Sequence, residues 1–92
     1  MSIVVRFKPT SLTTEQYDET IRRLKDVGDF PPDGCALHVA FGTGGNLQVS
    51  EIWDSPQQLQ AFGDRLMPIL DDVGIALSGE PEIYEAHNLV TR

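Results

Sequence analysis

The stretch EIWDSPQQLQAF, from Glu51 to Phe62, predicts a β-strand that passes directly into a helix. Ser55 or Asp54 can cap the helix, and Pro56 suits its first position. Gln58 stands where it can complete a capping box with Ser55. The acidic Asp54 also lies at the positive end of the helix dipole. The junction between strand and helix is therefore well specified by the sequence.

Outward from this junction, two kinds of apolar spacing predict the other elements. Alternating, β-branched segments indicate strands, and apolar residues three or four apart indicate helices. The predicted strands are 2–8, 35–41, 46–54 and 82–90, and the predicted helices are 13–27 and 56–73. Thr13 and Gln16 can form a capping box at the first helix, and Gly28 can end that helix. Pro68 predicts a kink or a short break near Met67 in the second helix.

Period-two alternation assigns the strand side chains to the two faces of a sheet. In the second strand it places Cys35 on the face of Leu37 and His38 on the opposite face. In the third strand Glu51 and Trp53 share a face. Residues 42–45, Gly-Thr-Gly-Gly, predict the hairpin turn between these two strands.

The element order is typical of the ferredoxin-like βαββαβ fold, an α+β arrangement in one domain spanning residues 1–92. It predicts a four-stranded antiparallel sheet with both helices on one face. The other face is predicted to carry Val, Ala, Trp and Leu or Tyr side chains, and an apolar sheet face of this kind usually needs a partner. A symmetric homodimer with sheet packed on sheet is the simplest solution.

Composition excludes some partners. The chain has 92 residues and a net charge of −7, so a nucleic-acid partner is not expected, because phosphate backbones require clustered Lys and Arg. The same charge disfavours an anionic membrane surface. The N-terminus lacks the pattern of a secretion signal and no apolar run is long enough to span a membrane, so a cytoplasmic location is expected. Cys35 is the only cysteine, and it reads as a small buried residue rather than a nucleophile.

With the motif Glu51-Ile-Trp-Asp-Ser and the helix that follows it, the chain resembles the dimeric α/β-barrel superfamily. The best known branch of that superfamily is the antibiotic-biosynthesis-monooxygenase-like proteins. The resemblance implies a homodimer whose two sheets enclose a barrel-like cavity. Relatives include cofactor-free quinone-forming monooxygenases, haem-degrading enzymes, isomerases and simple binding proteins. Many place a histidine in the helix about nine residues after the tryptophan, and Phe62 stands there in this chain. No haem or other cofactor is therefore expected.

His38 is the main candidate for a functional side chain. Ala36 and Ala40 flank it on its own face and leave room beside the imidazole. The alternative is a hydrogen-bonded histidine that only packs in a dimer interface. Glu51, buried on its strand, is a candidate general base. Its alternative role is a salt bridge to a basic residue of the first strand, Arg6 or Lys8.

Four further residues are candidates for contact with a substrate: Trp53, Tyr84, His87 and Arg6. Trp53 could stack on an aromatic compound, or it could fill the dimer core or pack under the start of the second helix. His38, Glu51 and His87 carry groups that suit transition metals, but they lie on three separate strands and nothing in their spacing requires a metal.

These features together favour a cofactor-independent, monooxygenase-like enzyme that acts on a small apolar or aromatic molecule. In that hypothesis His38 or Glu51 handles a proton. The alternative is a non-catalytic homodimer, either structural or binding a small molecule, whose interior polar groups only satisfy one another.

Overall fold

The computed structural model describes residues 2–92 and confirms the α+β ferredoxin-like fold. Four antiparallel strands form the main sheet in the order β3-β4-β1-β6, and two short strands form a separate ribbon. The strands are β1 (Ile3–Phe7), β2 (Pro9–Thr10), β3 (Cys35–Thr43), β4 (Asn46–Trp53), β5 (Ala76–Leu77) and β6 (Glu82–Glu85). The helices are α1 (Thr14–Asp26) and α2 (Pro56–Val73).

The hydrophobic core lies between the two helices and one face of this sheet. Ile3 is paired with Trp53, and Val5 is paired with Glu51, across the two central strands. The buried apolar side chains of the core cluster are Ile3, Val5, Leu24, Trp53, Leu59 and Phe62. Trp53 is therefore on the face that the helices cover. The prediction of a tryptophan on the uncovered face is wrong.

Helix α1 begins as the sequence predicts. Thr13 is the N-cap, its side chain accepts a hydrogen bond from the Gln16 amide, and the Gln16 side chain accepts one from the Thr13 amide. Gly28 follows the C-terminal cap with φ = 72°, a left-handed conformation that glycine adopts without steric cost. Its amide bonds the carbonyl of Lys25 at 3.0 Å. Both ends of the helix are therefore closed by local hydrogen bonds.

Helix α2 has the predicted bounds but differs from its prediction at the N-terminal cap, and of the kink or short break predicted near Met67 the break is absent. Ser55 caps it and Pro56 begins it, but the Ser55 hydroxyl donates to Gln58 Oε1 at 3.0 Å. The Gln58 side chain is thereby drawn to that hydroxyl and not to the Ser55 amide, so the capping box is only half formed. The helix also continues through Pro68 without a break. Pro68 is exposed, so its ring meets solvent rather than the core.

A bulge at the start of β3 corrects the predicted sheet faces. Cys35 pairs with Trp53, while Leu37 pairs with Ile52, and the register shifts between them. One extra residue therefore brings Cys35 onto the same face as His38, the face covered by the helices. The predicted placement of Cys35 beside Leu37 is wrong, and the assignment of His38 opposite Leu37 holds.

The C-terminal region departs furthest from the sequence prediction. Strand β6 ends at Glu85, so the predicted strand over 82–90 is too long, and His87 lies beyond the strand in an exposed segment. The ribbon of β2 and β5 is an element that the sequence pattern did not predict. It pairs Pro9 with Leu77 and Thr10 with Ala76.

Candidate functional site

The candidate site is built around a pair of side chains on adjacent strands. His38 of β3 stands directly opposite Glu51 of β4 in the sheet register. Its Nδ1 lies 2.6 Å from Glu51 Oε2. The Glu51 side chain is only 3% exposed, and that of His38 is 16% exposed. A short hydrogen bond between a carboxyl group and an imidazole is thus held in the interior on two rigid strands.

Two further side chains extend this pair into a continuous chain of hydrogen bonds. Trp53 Nε1 donates to Glu51 Oε1 at 2.9 Å, and Tyr17 Oη lies 2.7 Å from His38 Nε2. We call the four residues Tyr17, His38, Glu51 and Trp53 the polar relay. It runs from helix α1 across β3 to the end of β4. Both oxygens of Glu51 and both nitrogens of His38 are engaged within it.

Three members of the polar relay, Tyr17, His38 and Glu51, line a cavity between the sheet and the helices, and the buried Trp53 is not among the lining residues. The volume of the cavity is about 70 Å³. Four lining residues carry polar groups, namely Tyr17, Thr20, His38 and Glu51, but nearly all of the lining surface is apolar. The other lining residues are Phe7, Pro9, Leu12, Ile21, Leu24, Phe30, Val49, Phe62, Leu66, Leu70, Ile75 and Leu77. Apolar walls with a few convergent polar groups are the usual composition of a small-molecule site.

Aromatic rings fix the orientation of the imidazole. Phe30 meets the His38 ring edge-on, with 5.2 Å between the ring centroids, and the Tyr17 ring is stacked on it at 5.9 Å. On the other side of the relay, Trp53 packs against Phe62 at 5.5 Å. These contacts leave His38 little freedom to leave its hydrogen bonds.

Protonation of the relay follows from its donors and acceptors. An indole N–H can only donate, so Glu51 Oε1 must accept from Trp53. With Glu51 as a carboxylate, His38 carries its proton on Nδ1, and Nε2 accepts from the Tyr17 hydroxyl. Burial, followed by the nearby charge of Glu51, raises the pKa of Tyr17 above its ordinary value. Tyr17 therefore keeps its proton at neutral pH and acts as the donor to Nε2.

The arrangement resembles in its logic the carboxylate–imidazole pairs of general-base catalysis. The carboxylate fixes the imidazole tautomer and stabilises the imidazolium that forms when a proton is taken up. The low polarity of the surrounding cavity strengthens that electrostatic interaction. What the site can do chemically is accept a proton from a ligand in an apolar environment.

The other predicted site residues lie elsewhere. Arg6 and Tyr84 are on the uncovered face of the sheet, where both contact Glu82: Arg6 Nη1 lies 3.9 Å from Glu82 Oε1, and Tyr84 Oη donates to Glu82 Oε2 at 3.0 Å. The Glu82 hydrogen bond and charge raise the pKa of Tyr84. Glu51 pairs with His38, whereas the ion pairs of the first-strand cations Arg6 and Lys8 are with Glu82.

Of the three residues considered for a metal, His38 and Glu51 are in contact, but His87 is remote from both. His87 follows β6 at one edge of the sheet, while His38 is on β3 at the other edge. Within residues 2–92, no group of three or more His, Cys, Asp or Glu side chains is arranged to hold a metal ion. Phe62, the ninth residue after Trp53, lines the cavity with a side chain that has no ligand atom.

Tyr17 is the one member of the polar relay that was not predicted as a site residue. Tyr17 precedes Ile21 and Leu24 at spacings of four and three, so it belongs to the apolar stripe of α1, a position that usually means core packing. A signal was available, since the stripe of α1 and the face of His38 must both point towards the space between helix and sheet. Only the register of helix on sheet brings the hydroxyl to Nε2, and that register is not visible in the sequence.

Comparison with solved structures confirms the fold resemblance. A protein from Deinococcus radiodurans, provisionally described as an antibiotic biosynthesis monooxygenase, has a TM-score of 0.60 and 17% identity, and the match covers 100% of this chain and 98% of that one. SnoaB from Streptomyces nogalater, a cofactor-independent oxygenase, has a TM-score of 0.60 and 12% identity, covering 99% and 96%. A protein of unknown function from Nitrosomonas europaea has a TM-score of 0.53 and 14% identity, covering 99% and 90%.

The chain thus has the fold seen in antibiotic-biosynthesis-monooxygenase-like proteins. No protein-family model and no curated protein matches the sequence. Among residues 2–92, no helix has the length and apolar content needed to cross a membrane.

Proposed function

We propose that this chain is a cofactor-independent, oxygenase-like enzyme that removes a proton from a small apolar or aromatic compound, with His38 as the base. The observation that carries this proposal is the hydrogen-bonded His38–Glu51 pair bordering an otherwise apolar cavity. The likeness in fold to SnoaB, a cofactor-independent oxygenase, adds support.

The proposed reaction requires a substrate with an acidic CH₂ group. His38 takes one proton, and Glu51 stabilises the imidazolium that results. The substrate carbanion then gives an electron to dioxygen, and the substrate radical and superoxide combine to a peroxide anion. This anion takes the proton back from His38 and becomes a hydroperoxide. Loss of water from the hydroperoxide leaves a carbonyl group. The overall reaction is CH₂ + O₂ → C=O + H₂O, in which the substrate carbon is oxidised and dioxygen is the oxidant.

The size of the cavity bounds the substrate. An engineered cavity of about 150 Å³ binds benzene, and the cavity here is about 70 Å³. A ring can therefore enter only if lining side chains move, and we expect Phe30 and Leu66 to do so, because both are only partly buried. Compounds of one or two rings are favoured over larger ones.

A homodimer belongs to this proposal. The uncovered sheet face carries partly exposed apolar side chains, namely Val4, Leu37, Val39, Phe41, Ile52 and Tyr84. Pairing two such faces by a two-fold axis would remove them from water. A cytoplasmic location stays a prediction.

The test is dioxygen uptake in the presence of 2-indanone and, as a larger probe, anthrone, with product identified by mass spectrometry. We expect the wild-type protein to accelerate uptake and His38→Ala to lose about 100-fold or more of that acceleration. Glu51→Gln should lose activity in the same direction, and Glu85→Gln, an exposed carboxylate on β6, should lose none. Uptake that is equal in buffer and in protein, or equal in wild type and His38→Ala, would contradict the proposal.

A second candidate is a dimer that binds a small molecule without turning it over. It is favoured by the finding that, among the described residues, each buried side-chain nitrogen and oxygen has a hydrogen-bond partner. A ligand would then change the fluorescence of Trp53, the only tryptophan, with no product formed. His38→Ala would in that case reduce stability and binding only.

A further inference from the structure

Both ring nitrogens of His38 are occupied. Nδ1 is bonded to Glu51 and Nε2 to Tyr17. A ligand in the cavity therefore finds no free nitrogen to which it could pass a proton directly. Unless Tyr17 moves away, a proton that reaches His38 from the cavity must pass through the phenol.

The Tyr17 hydroxyl has the capacity for this passage. A phenolic hydroxyl donates one hydrogen bond and still offers lone pairs to accept another. Tyr17 lines the cavity, is partly buried, and lies 2.7 Å from Nε2. Its position on α1 is held by the capped first turn of the helix, where it directly follows Gln16 of the capping box. Tyr17 thus lines the cavity and holds its hydroxyl against the imidazole on a rigid element.

We propose that Tyr17 is a catalytic residue that relays the proton of the substrate to His38. The phenolic oxygen accepts the proton from the substrate C–H while the hydrogen of Tyr17 moves to Nε2. The O–H bond to the substrate hydrogen forms as the old O–H bond breaks, so Tyr17 ends neutral. The substrate keeps the electron pair of its C–H bond, and His38 becomes an imidazolium paired with Glu51. This step rests on the proposed function for the identity of the base, but it needs no dioxygen.

A purely structural role for Tyr17 predicts something different. Tyr17→Phe keeps the ring that stacks on His38 and removes only the hydroxyl. If the ring alone positions the imidazole, this variant transfers protons as fast as the wild type. If the hydroxyl is the relay, the variant loses transfer although the fold and the ring stacking remain.

The experiment is deuterium uptake into the CH₂ groups of 2-indanone in D₂O without oxygen, followed by proton NMR. We expect the wild type to accelerate uptake and Tyr17→Phe to be at least about 10-fold slower in turnover, with little change in the concentration of half-saturation. Ser50→Ala, which removes a hydroxyl from the opposite face of the sheet, should be unchanged. Should Tyr17→Phe not fold, 3-fluorotyrosine incorporated at position 17 alone keeps the hydroxyl but lowers its pKa. The alkaline limb of the rate–pH profile should then move to lower pH, because the relay needs a proton that Tyr17 still holds.

The outcomes separate this inference from the proposed function. Equal uptake by wild type and Tyr17→Phe overturns the relay, even if dioxygen consumption still depends on His38. No acceleration by the wild type also overturns it. Acceleration that depends on the Tyr17 hydroxyl, in a protein that consumes no dioxygen with either probe, upholds the relay and overturns the oxygenase.

Discussion

At the scale of single residues, Glu51 holds the site together because both of its oxygens are bonded inside the protein. Removing one partner of a buried charged group leaves the other without compensation, which costs about 3–5 kcal/mol. Trp53 and His38 are therefore not independent of each other, since each stabilises the same carboxylate. A substitution at either residue will change the energetics of the whole polar relay.

Cys35 predicts how stability depends on alkaline pH. Burial, followed by the nearby charge of Glu51, raises the pKa of its thiol from 9.0 to about 11. An unfolded chain loses the thiol proton first, so this contribution to the free energy of unfolding is complete below pH 9.0 and is lost as pH rises to about 11. The expected result is a fall in stability over that range that is smaller in Cys35→Ala.

Urea unfolding measured across this pH range checks the prediction. The raised pKa values of Tyr17 and Tyr84 also lower the free energy of unfolding at higher pH. Both tyrosines are present in the wild type and in Cys35→Ala. The difference between the wild type and Cys35→Ala therefore isolates the thiol. If the free energy of unfolding falls equally with pH in the two proteins, Cys35 has the same pKa in the folded and unfolded states, and the prediction is wrong.

Single residues also show how far the sequence allows the site to be predicted. Alternation along β3 and β4 placed His38 opposite Leu37 and Glu51 beside Trp53, because period two is a local property of a strand. Tyr17 was missed as a site residue because its contact with His38 depends on how α1 lies on the sheet. Cys35 was assigned to the wrong face because a bulge depends on pairing with β4, which local alternation does not contain.

At the scale of elements, α2 shows that tertiary packing can override a local signal. Its stripe of apolar residues includes the buried Leu59, Phe62 and Leu70, which anchor the helix on both sides of Pro68. The helix therefore continues through a residue that lacks an amide and crowds the preceding turn. Of the predicted kink or short break, the break is absent because the packing on both sides outweighs this local cost.

The substitution Pro68→Ala should consequently stabilise the protein. Proline inside a helix costs about 3 kcal/mol relative to alanine, and part of that cost is offset by the stiffer unfolded chain. We expect the free energy of unfolding to rise by about 1–3 kcal/mol, measured by urea unfolding. Met67→Ala at the neighbouring exposed position should change it by about 0.5 kcal/mol or less. A destabilised Pro68→Ala would mean that the proline fixes a geometry that α2 requires.

The ends of the strands were predicted less well than their existence. Residues 86–90 alternate like a strand, but β6 stops at Glu85. Its only partner in the sheet is β1, which itself begins at Ile3, opposite Glu85. The amide of Ala86 still donates to the carbonyl of Ser2 at 3.0 Å, and within the described residues 2–92 the segment 87–90 has no strand to pair with. A length limit of this kind comes from the partner strand and not from the segment itself.

At the scale of the whole molecule, the two faces of the sheet are unequal. The helices cover one face, while Val39 and Phe41 on the other are each 41% exposed. This inequality follows from the element order, which is why the need for a partner on that face could be predicted from the sequence. Which side chains lie on each face could not be predicted fully, since Trp53 is on the face that the helices cover.

The proposed homodimer predicts the behaviour of Val39→Lys. Val39 lies on the uncovered face, on the edge strand β3. A charge there would be buried in the proposed interface, so the dimer should dissociate while the circular dichroism spectrum stays unchanged. Native mass spectrometry measures the change in mass. Val27→Lys makes the same substitution at an exposed position after α1 and should leave the dimer intact. A wild-type protein that is monomeric at micromolar concentration would contradict the homodimer.

The most direct test of the polar relay is the ring nitrogen spectrum of the two histidines. NMR of ¹⁵N-labelled protein reports which nitrogen of each imidazole carries the proton. We predict that His38 holds it on Nδ1, facing Glu51, and that Tyr17→Phe changes the Nε2 signal. His87, exposed after β6, is the internal reference and should show two averaging tautomers. A His38 spectrum that averages like that of His87 and ignores Tyr17→Phe would contradict the hydrogen-bonded base on which the proposed chemistry depends.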